Sequence, residues 1–538
     1  MNPEQLLAHY ERMAEAPDVI ERLRQFVLEL AIRGKLVAQD SADNTVAQCL
    51  KTIGAVPLPN GAFDIPENWA WVSVGSVADA RLGKMLDKAK NRGSPKRYLR
   101  NVNVRWFGFD LNDLLDMPFE DHELAEFALH SGDVLICEGG EPGRAAVWRG
   151  SSEEIYFQKA LHRVRFEKFI SADFFVFALR ASADDGRLAD SFTGTGIKHF
   201  TGRSLNTYAF PLPPLAEQHR IVAKVDELLA LCDRLEEARK EREAARDRLT
   251  AASLARLNAP DPDPATFTTH ARFVLDNLSA VTTRADQIKQ LRQTILNLAV
   301  RGKLVEQQAS DGPADCFDES LGKSIELPFR IPPAWSWSRI SSLGKLMGGG
   351  TPAKSRDDFW SGSIPWVSPK DMKVDYLSDA QMSITETAIS SSAVNLIAPN
   401  SLLFVVRGMI LAHSFPVAIS KVSLTINQDM KAVVLKNPEI AEYLLRALKG
   451  LKPEMLMRVQ RSSHGTCRIE GSDYSEFLVP IPPLTEQRRI VERINELMSL
   501  CDRLEASLAT GDETRQRLLE AILHEALEPA EVRELEPA

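Results

Sequence analysis

Lysine and arginine are concentrated between residues 81 and 105 of this 538-residue chain. The basic cluster contains one acid, Asp87, and its cations are Arg81, Lys84, Lys88, Lys90, Arg92, Lys96, Arg97, Arg100 and Arg105. The sign then reverses at Asp110, Asp113, Asp116, Glu120, Asp121, Glu123 and Glu126. Although the net charge is −9, such a cluster can neutralise phosphates. We predict one anionic partner here, the alternative being a solvated basic face.

Residue types that catalyse reactions or hold cofactors do not form a recognisable site. The sequence has no Asn/Asp-Pro-Pro-aromatic methyltransferase motif and no glycine fingerprint for S-adenosylmethionine. Lys323 lies in Gly322-Lys-Ser324, but a phosphate-binding loop would need glycine at position 317, where this chain has Phe. The cysteines show no Cys-x-x-Cys spacing, and no metal-ligand cluster is apparent. We predict a non-catalytic chain with no cofactor or metal of its own.

Two stretches of the sequence occur twice. Residues 211–236 and 480–505 are identical at 17 of 26 positions, and residues 23–37 and 291–305 at 11 of 15. Shorter copies at 63–71 and 329–337 each carry two tryptophans. The chain is therefore a duplicated unit. Because the sequence between the copies diverges, we predict one frame that carries two different surfaces.

The repeated stretches have the apolar spacing of long helices. Steps of four and three residues, typical of a helix-packing seam, join Ile221, Val225, Leu228, Cys232 and Leu235, and likewise Ile490, Ile494, Leu497, Cys501 and Leu504. We predict long helices over 215–257 and 484–526, and helices ending in Arg-Gly-Lys over 18–35 and 284–303. One such pair is central and the other is split between the chain ends. If the repeats are equivalent, the N- and C-terminal helices must be adjacent.

The divergent regions contain short apolar runs, such as residues 133–137 and 402–406, bounded by Gly, Pro, Asn or Asp. These runs predict strands, and hence two α+β domains of one fold. We divide the chain into an N-terminal helical segment (1–54), a first domain (55–213), a central helical spacer (214–320), a second domain (321–482) and a C-terminal helical spacer (483–538). With no apolar run of about 18 residues and no visible export signal, we predict a cytoplasmic location.

Several of these features resemble one known family. The motif Pro-Leu-Pro-Pro-Leu-Ala-Glu-Gln-His-Arg-Ile-Val at 211–222 leads from a divergent domain into a long helix, and its copy begins at Pro480. The second domain opens with Gly348-Gly-Gly-Thr-Pro352, Trp360 and residues 364–372, while Gly194-Thr-Gly196 and Ser463-His-Gly-Thr466 precede the two exits. In these motifs the chain resembles the specificity (S) subunit of type I restriction–modification systems.

The resemblance implies a division of labour. Two similar α+β target-recognition domains would be joined by two long antiparallel helices, a coiled-coil spacer, in a pseudo-twofold arrangement. Each domain would read one half of a bipartite, asymmetric site in double-stranded DNA. Two methyltransferase (modification) subunits, using S-adenosylmethionine, and two restriction/translocase subunits, using ATP and Mg, would dock on the chain. No membrane partner is expected.

Base reading needs Arg, Lys, Asn, Gln, Ser or Thr side chains, and these residue types supply the candidates. In the first domain we predict DNA contacts at Lys84, Lys88, Arg92, Arg100, Asn101, Asn103, Arg105, Thr195, Lys198 and His199. In the second domain we predict them at Thr351, Lys354, Arg356, Lys370, Arg407, Arg458, Arg461, Ser463, His464 and Arg468. Trp360 and Trp366 would stack on DNA or belong to the core.

Residues that repeat between the units should serve the shared frame, because the two units are expected to read different DNA. Trp69, Trp71, Trp335 and Trp337 are assigned on this ground to the structural start of each domain. The repeated polar residues after each Pro-Pro are predicted to form a helix start and a surface that docks the methyltransferase subunits; they are Glu217, Gln218, Arg220, Glu486, Gln487 and Arg489.

Two other classes of function compete with DNA recognition. The chain could be a coiled-coil adaptor that binds two different proteins through its divergent domains, although the basic cluster disfavours this. It could also be a self-contained restriction enzyme or methyltransferase, which the missing motifs oppose. Binding to random duplex DNA at several salt concentrations separates the first alternative from DNA recognition, since phosphate neutralisation gives a steep negative slope.

Overall fold

The computed structural model describes residues 15–16, 18–87, 89, 91–150, 153–258, 264–277, 282–319, 321, 327–461 and 465–527. These residues form two compact units. The first lies within Met1–Glu241 and Asp512–Ala538, and the second within Arg242–Gly511. Among the helices of the described residues, none combines the length and the apolarity that crossing a membrane requires.

The helices follow the predicted pattern of short and long segments. In chain order they are α1 (Val19–Ile32), α2 (Val46–Thr52), α3 (Val74–Val77), α4 (Asp121–Phe127), α5 (Ala172–Asp184), α6 (Gly202–Thr207), α7 (Leu215–Asn258), α8 (Pro264–Asp276), α9 (Ala285–Val300), α10 (Ile340–Leu343), α11 (Glu386–Ser390), α12 (Ala441–Gly450), α13 (Lys452–Leu456), α14 (Gly471–Ser475) and α15 (Leu484–Leu527). Helix α7 begins in the first unit and ends in the second, whereas α15 begins in the second and ends in the first.

The strands of the first unit form a mixed α+β domain. They are β1 (Ala70–Ser73), β2 (Ala78–Leu82), β3 (Ser94–Leu99), β4 (Val104–Arg105), β5 (Gly108–Phe109), β6 (Leu115–Phe119), β7 (Val134–Cys137), β8 (Ala145–Val147), β9 (Tyr156–Phe157), β10 (Leu161–Phe166) and β11 (Ala209–Leu212). The central antiparallel sheet has the order β2-β10-β7-β8, and a second sheet has the order β6-β3-β9, with β3 and β9 parallel. Helix α5 packs its phenylalanines on the central sheet.

The second unit repeats the arrangement of the first with different residues and one additional strand in its central sheet. Its strands are β12 (Ser336–Arg339), β13 (Gly344–Gly348), β14 (Ile364–Val367), β15 (Tyr376–Leu377), β16 (Ser383–Ile384), β17 (Leu402–Val405), β18 (Val417–Ser420), β19 (Thr425–Ile426), β20 (Met430–Leu435), β21 (Gln460–Arg461), β22 (Cys467–Arg468) and β23 (Leu478–Ile481). The central sheet is β13-β20-β17-β18-β15 and the second sheet is β16-β14-β19. The prediction of one α+β fold for both divergent regions is therefore confirmed.

Strand register matches the two domains residue by residue. His162 pairs with Leu82 and Ile136, and Lys431 pairs with Gly348 and Phe404. Strand β15 pairs with β18 in parallel. At the matching place in the first domain, the β4–β5 hairpin lies beside the start of β8, where the Phe107 N–H donates to Ala145 O at 3.2 Å. The central strands β7 and β17 are buried along their whole length, which explains why they read as unbroken apolar runs.

The N-terminal and C-terminal helices are adjacent, as the split repeat predicts. In the first unit, Val19 and Ile20 of α1 form an apolar cluster with Leu519 and Ile522 of α15. In the second unit, Leu298 of α9 lies with Leu254 and Leu257 of α7. The arrangement follows from the duplication, because each short helix needs both the start of one long helix and the end of the other to cover its apolar face.

The glycine of each Arg-Gly-Lys motif ends its helix and allows close packing. Gly34 and Gly302 both have φ of 67°, a left-handed conformation that favours glycine. A Cβ atom would lie 2.5 Å from Pro66 at the first position and 2.3 Å from Pro332 at the second. The motif recurs because each helix end must approach the proline that precedes its domain.

Candidate nucleic-acid interface

In the first domain, four segments meet at one end of the central sheet. They are the loop 138–143 after β7, the β9–β10 connection, the turn 100–103 after β3 and the hairpin 193–199. The Glu138 N–H donates to Ala160 O at 2.9 Å, and the Phe200 N–H donates to Glu138 O at 2.8 Å. The Asn101 amide donates to Gly139 O at 3.3 Å. We call this surface the recognition end of the domain.

The hairpin Thr193–His199 is the most exposed part of the recognition end. Its first and last residues exchange backbone hydrogen bonds of 2.9 Å in both directions, and all of its residues are exposed. Lys198 and His199 therefore project from a short, internally bonded loop. Beside it, Gly140 has φ of 81°, and a Cβ there would lie 2.9 Å from the Asn101 amide nitrogen. The bare glycine leaves room for Asn101.

The second domain builds its recognition end from the same segments. The Val406 N–H donates to Asp429 O, and the Ile469 N–H donates to Val406 O, both at 2.9 Å. Arg407 follows the central strand β17, and its backbone pairs with that of Arg468, in the β21–β22 hairpin, as an isolated antiparallel bridge. Arg461, from the same hairpin, is also exposed. This end of the second domain thus brings three arginines together.

Equivalent positions at the two recognition ends carry different chemistry. Strand register and the matching loop bonds align Gly139 with Arg407, Lys159 with Gln428, Val102 with Lys370 and His199 with Arg468. Apart from Gly139, each of these residues is exposed. The frame is held constant while the side chains that a ligand would meet are exchanged. This is the property expected of two readers with different targets.

Several predicted DNA contacts are held inside the first domain. Lys84 is 7 % exposed; its ammonium pairs with Glu123, donates to Pro118 O at 2.8 Å and lies 4.8 Å from the centroid of the Phe119 ring. Asn103 is 2 % exposed and caps its turn by accepting from the Arg100 N–H. These polar groups are satisfied within the fold, so we remove Lys84 and Asn103 from the candidate interface.

The second domain gives further evidence that Asn103 has a structural role. Its counterpart is Asp371, whose carboxylate accepts from the Ser368 N–H at 2.8 Å. A carboxylate would repel DNA phosphates at this place. The shared function of the two positions is therefore to shape the turn. Arg100 is also engaged, since its guanidinium donates to the Asp113 carboxylate at 2.6 Å and to the Asp113 carbonyl at 2.9 Å.

The acidic run 110–126 folds back onto the basic cluster. Strands β3 and β6 are antiparallel neighbours, and α4 follows β6 directly. Arg81 consequently pairs with Glu126 at 2.9 Å, and Arg105 with Asp110 at 3.3 Å. The charge segregation seen along the chain is thus partly cancelled in space. The cause is hairpin pairing, which brings the acidic run beside the basic cluster.

The remaining predicted contacts divide by their surroundings. Those exposed at or beside the recognition ends are Arg105, Thr195, Lys198, His199, Thr351, Lys370, Arg407, Arg461 and Arg468. Arg92, Lys354 and Arg356 are exposed elsewhere, the last in a two-bond contact with Asp358. Arg458 stacks on Phe477 and donates to Asp473 O at 3.0 Å, which ties it to its own domain. Lys88, Ser463 and His464 lie outside the described residues.

Sequence reasoning missed three residues at these ends. Lys159 and Gln428 occupy the same exposed position between the second sheet and the central sheet, and Gln428 accepts from the Thr351 hydroxyl at 2.5 Å. Arg144 donates to Asn101 O at 2.9 Å and thereby fixes the turn beside loop 138–143. An isolated lysine, glutamine or arginine gives no pattern in the sequence, so no signal was available to find them.

The repeated Glu-Gln pairs form an internal clamp. The Trp69 indole N–H donates to Glu217 at 3.0 Å and the Gln39 amide donates to its other oxygen at 2.6 Å. In the second unit, Trp335 and Gln307 donate to Glu486 at 2.9 and 2.6 Å. Burial raises the pKa of both carboxyl groups above that of an ordinary glutamate. The clamp fixes the first turn of each long helix to its domain.

The prediction that this repeated set docks partner subunits has to be corrected for its buried members. Glu217, Gln218, Glu486 and Gln487 are each at most 4 % exposed, so they offer no surface to another protein. Arg220 and Arg489 are engaged in two-bond ion pairs with Asp43 and Asp311. Their repetition has a structural cause. The predicted helix starts are confirmed, since α7 and α15 begin at Leu215 and Leu484.

The tryptophans belong to the framework. Trp366 is 8 % exposed, donates to Gly350 O at 2.9 Å and contacts Trp360 edge to face at 5.2 Å between ring centroids. Of the two alternatives for these tryptophans, these contacts favour packing in the core over stacking on DNA. The paired tryptophans before each domain are buried too, and Trp69 and Trp335 supply the donors of the clamp.

Two titratable groups near the recognition end of the first domain are buried. His162 places Nε2 2.8 Å from Phe200 O, a bond in which the ring nitrogen must donate, and burial lowers its pKa. Burial raises the pKa of the Cys137 thiol to about 11. Both groups are therefore neutral near pH 7. Over the described residues, no group of three or more His, Cys, Asp or Glu side chains is arranged to hold a metal ion.

The fold and these surfaces define a protein with two structurally equivalent recognition domains, each anchored to a long helix. The family model of the type I restriction modification DNA specificity domain matches residues 66–243 and 332–510. The chain belongs to this family. Its two matched segments each cover one α+β domain and the start of the following long helix.

Individual relatives agree with the family. The chain is 35% identical over 185 residues to the EcoR124I/EcoR124II specificity subunit of Escherichia coli, a match spanning 34% of this chain and 46% of that protein. It is 23% identical over 575 aligned positions to the E. coli EcoAI specificity subunit, covering 94% of each. A solved structure described as the structural basis of complex assembly and conformational transition of the type I R-M system has the same fold, with a TM-score of 0.50 and 20% identity over 87% of this chain and 99% of that one. The assignment as a non-catalytic specificity subunit rests on this family membership.

Proposed function

We propose that this chain reads a bipartite, asymmetric site in double-stranded DNA, with one half-site for each recognition end. The first would use Asn101, Arg105, Lys159, Lys198 and His199. The second would use Lys370, Arg407, Gln428, Arg461 and Arg468. Each set mixes arginine or lysine, which bind phosphates and guanine, with an amide or imidazole that can contact base edges.

One observation carries this proposal: four aligned positions on a common frame carry different side chains at the two ends. The aligned pair Gly139 and Arg407 is the clearest case. The second domain has a long side chain that could read bases at this position, and the first domain has only a glycine. A protein that bound the same half-site twice would keep these positions alike. The half-sites should therefore differ.

We also propose that other polypeptides perform the chemistry. The chain would dock two methyltransferase subunits that use S-adenosylmethionine, and two restriction/translocase subunits that use ATP and Mg. The long helices α7 and α15 offer exposed charged faces for docking beyond their clamped first turns. The clamp residues themselves are buried and would act only by holding those helices in place.

Selection from a random duplex pool by the full-length chain tests DNA recognition. The retained sequences should share two specified parts separated by unspecified positions. Affinity should fall with salt, with a slope of about −0.9 per phosphate contact on logarithmic axes. Affinity that is independent of salt, with no sequence retained, would favour the protein-adaptor alternative instead.

A further inference from the structure

The first domain has a groove that the recognition end does not explain. It lies beside β8, has a volume of 450 Å³ and is lined chiefly by apolar side chains, among them Phe107, Leu111, Trp148, Phe177 and Leu229. Phe107 is 45 % exposed at the rim and has φ of 65°, a strained conformation for an aromatic residue. An exposed aromatic held in such a conformation beside an apolar groove indicates a binding surface.

The second domain shows what fills the corresponding place. Register aligns Val147 with Ile419 and Arg149 with Lys421. In the second domain the Ile419 N–H donates to Asp375 O at 2.9 Å and the Lys421 N–H donates to Leu377 O at 2.8 Å. Strand β15 is thus added in parallel along β18. The groove of the first domain occupies the position where β15 would lie.

The outer edge of β8 is occupied at its start, where the Phe107 N–H donates to Ala145 O at 3.2 Å, and is open at Val147 among the described residues. Leu135 and Ala146 form a hydrogen-bonded pair of the β7–β8 ladder, since Trp148 N–H donates to Asp133 O and Cys137 N–H to Arg144 O on either side. Val147 lies between two such hydrogen-bonded positions of β8, Ala146 and Trp148. In an antiparallel pair a residue in that place points its N–H and C=O groups away from the neighbouring strand, here β7. Across the described residues, Val147 has no backbone partner on that outer side.

The charges around the two positions are inverted. In the second domain, Arg446 on α12 donates to Asp375 of the segment that enters β15, at 2.7 Å, and to Asn495 of α15 at 3.3 Å. The ring contacts of Trp69 with Phe174 and of Trp335 with Tyr443 align the helices, so Phe177 stands where Arg446 does. The repeat places Asp226 where α15 has Asn495. The first domain thus lacks the cation of Arg446 and gains the carboxylate of Asp226, while Arg149, aligned with Lys421, pairs with Asp173 at 2.5 Å.

We propose that the groove binds an extended segment of a partner protein, as an added strand parallel to β8, with a basic residue followed by apolar ones. The basic residue would take the place of Asp375 and pair with Asp226, and the apolar residues would enter the groove. Partial desolvation at the groove wall and the neighbouring Asp173 raise the pKa of Asp226, and Arg149 acts in the opposite direction. The wall carries two carboxylates, Asp173 and Asp226, against one guanidinium, Arg149, which pairs with Asp173 at 2.5 Å. This excess of negative charge disfavours DNA as the occupant. This surface is independent of the proposed DNA contacts.

The second domain supplies a matched pair of test peptides. One has the native sequence of residues 371–380, Asp-Met-Lys-Val-Asp-Tyr-Leu-Ser-Asp-Ala, and the other carries D375R. Binding of both to the full-length chain is measured by fluorescence anisotropy, with amide hydrogen exchange of residues 145–150 as a second readout. The D375R peptide should bind about three- to fivefold tighter than the native one, the size of one exposed ion pair. It should also slow exchange at Val147 and Arg149.

The variant Asp226→Asn tests the proposed ion pair separately from the apolar contacts of the groove. Asp226 is exposed on a long helix, so this change keeps the fold and should remove the preference for the D375R peptide. Equal affinity for the two peptides, or no binding of either, would overturn the proposal. It would also fail if the Val147 and Arg149 amides, which face away from β7, are already protected in the free chain, or become protected as chain concentration rises, because the occupant would then be the chain itself or a second copy.

Discussion

Each recognition end owes its character to a few side chains on bonded backbone. Arg407 illustrates this, because its backbone is fixed by Asp429 O on one side and by the β22 hairpin on the other, while its guanidinium is exposed. A long side chain on rigid backbone loses less conformational freedom on binding than one on a loose loop. Arg407 should therefore contribute strongly to DNA affinity.

Replacing Arg407 with alanine should weaken binding of the full-length chain to its selected DNA site by about 1–3 kcal/mol, that is, roughly fivefold to 150-fold. The matched control is Arg503→Ala, which removes the same charge from an exposed position on α15. Anisotropy titrations at two salt concentrations provide the measurement. If both variants lose equal affinity, Arg407 acts only through net charge.

A second prediction at this scale concerns the buried His162. Because its folded-state pKa is lowered, the neutral ring is favoured by folding, and this stability is complete above the ordinary pKa of about 6.5 and declines as pH falls below it. His162→Gln keeps a donor for Phe200 O but does not titrate. Thermal unfolding of the two proteins should show the wild type losing stability relative to the variant between pH 7.5 and 5.5, by up to about 1.4 kcal/mol per pH unit. Parallel curves would contradict this.

At the scale of elements, the clamp joins each long helix to its domain. The carboxylate of Glu486 accepts from the buried Trp335 indole and from the amide of the exposed Gln307, and its removal would leave the indole N–H unpaired. An unsatisfied buried polar group costs about 1–3 kcal/mol. The clamp therefore couples the recognition domain to the start of α15, and its repetition in both units follows from this mechanical role.

Glu486→Ala should lower the free energy of unfolding of the second unit by about 1–3 kcal/mol, because the Trp335 indole is left unpaired and a small cavity forms. Glu492→Ala, an exposed carboxylate two turns along the same helix, is the control and should change stability little. Urea unfolding followed by tryptophan fluorescence, which reports Trp335 directly, supplies the measurement. Equal midpoints for the two variants would show that the clamp contributes nothing.

The elements were predictable wherever a pattern repeats over several turns or between units. The apolar spacing predicted α7 and α15 to within one or two residues, and the split repeat predicted that the terminal helices meet. Strand pairing was not predictable, since it joins residues far apart without a periodic signal. For that reason the ion pairs between the basic cluster and the acidic run were missed, and so was the burial of Lys84.

At the scale of the whole molecule, the duplication yields two copies of one fold whose loops have diverged. The buried strands, the clamp and the Arg-Gly-Lys helix ends recur, while Gly139, Lys159 and His199 have been replaced at the aligned positions by Arg407, Gln428 and Arg468. Selection for folding acts on the first group in both units alike. Selection for different targets can act on the second group without disturbing the fold.

The most direct test of two independent readers is methyl-adenine mapping of DNA modified by the assembled complex. The wild-type chain is compared with a chimera in which residues 55–213 come from another recognition domain. The account predicts a two-part motif in which the chimera changes one part and leaves the other as it was. A change in both parts, or in neither, would contradict it.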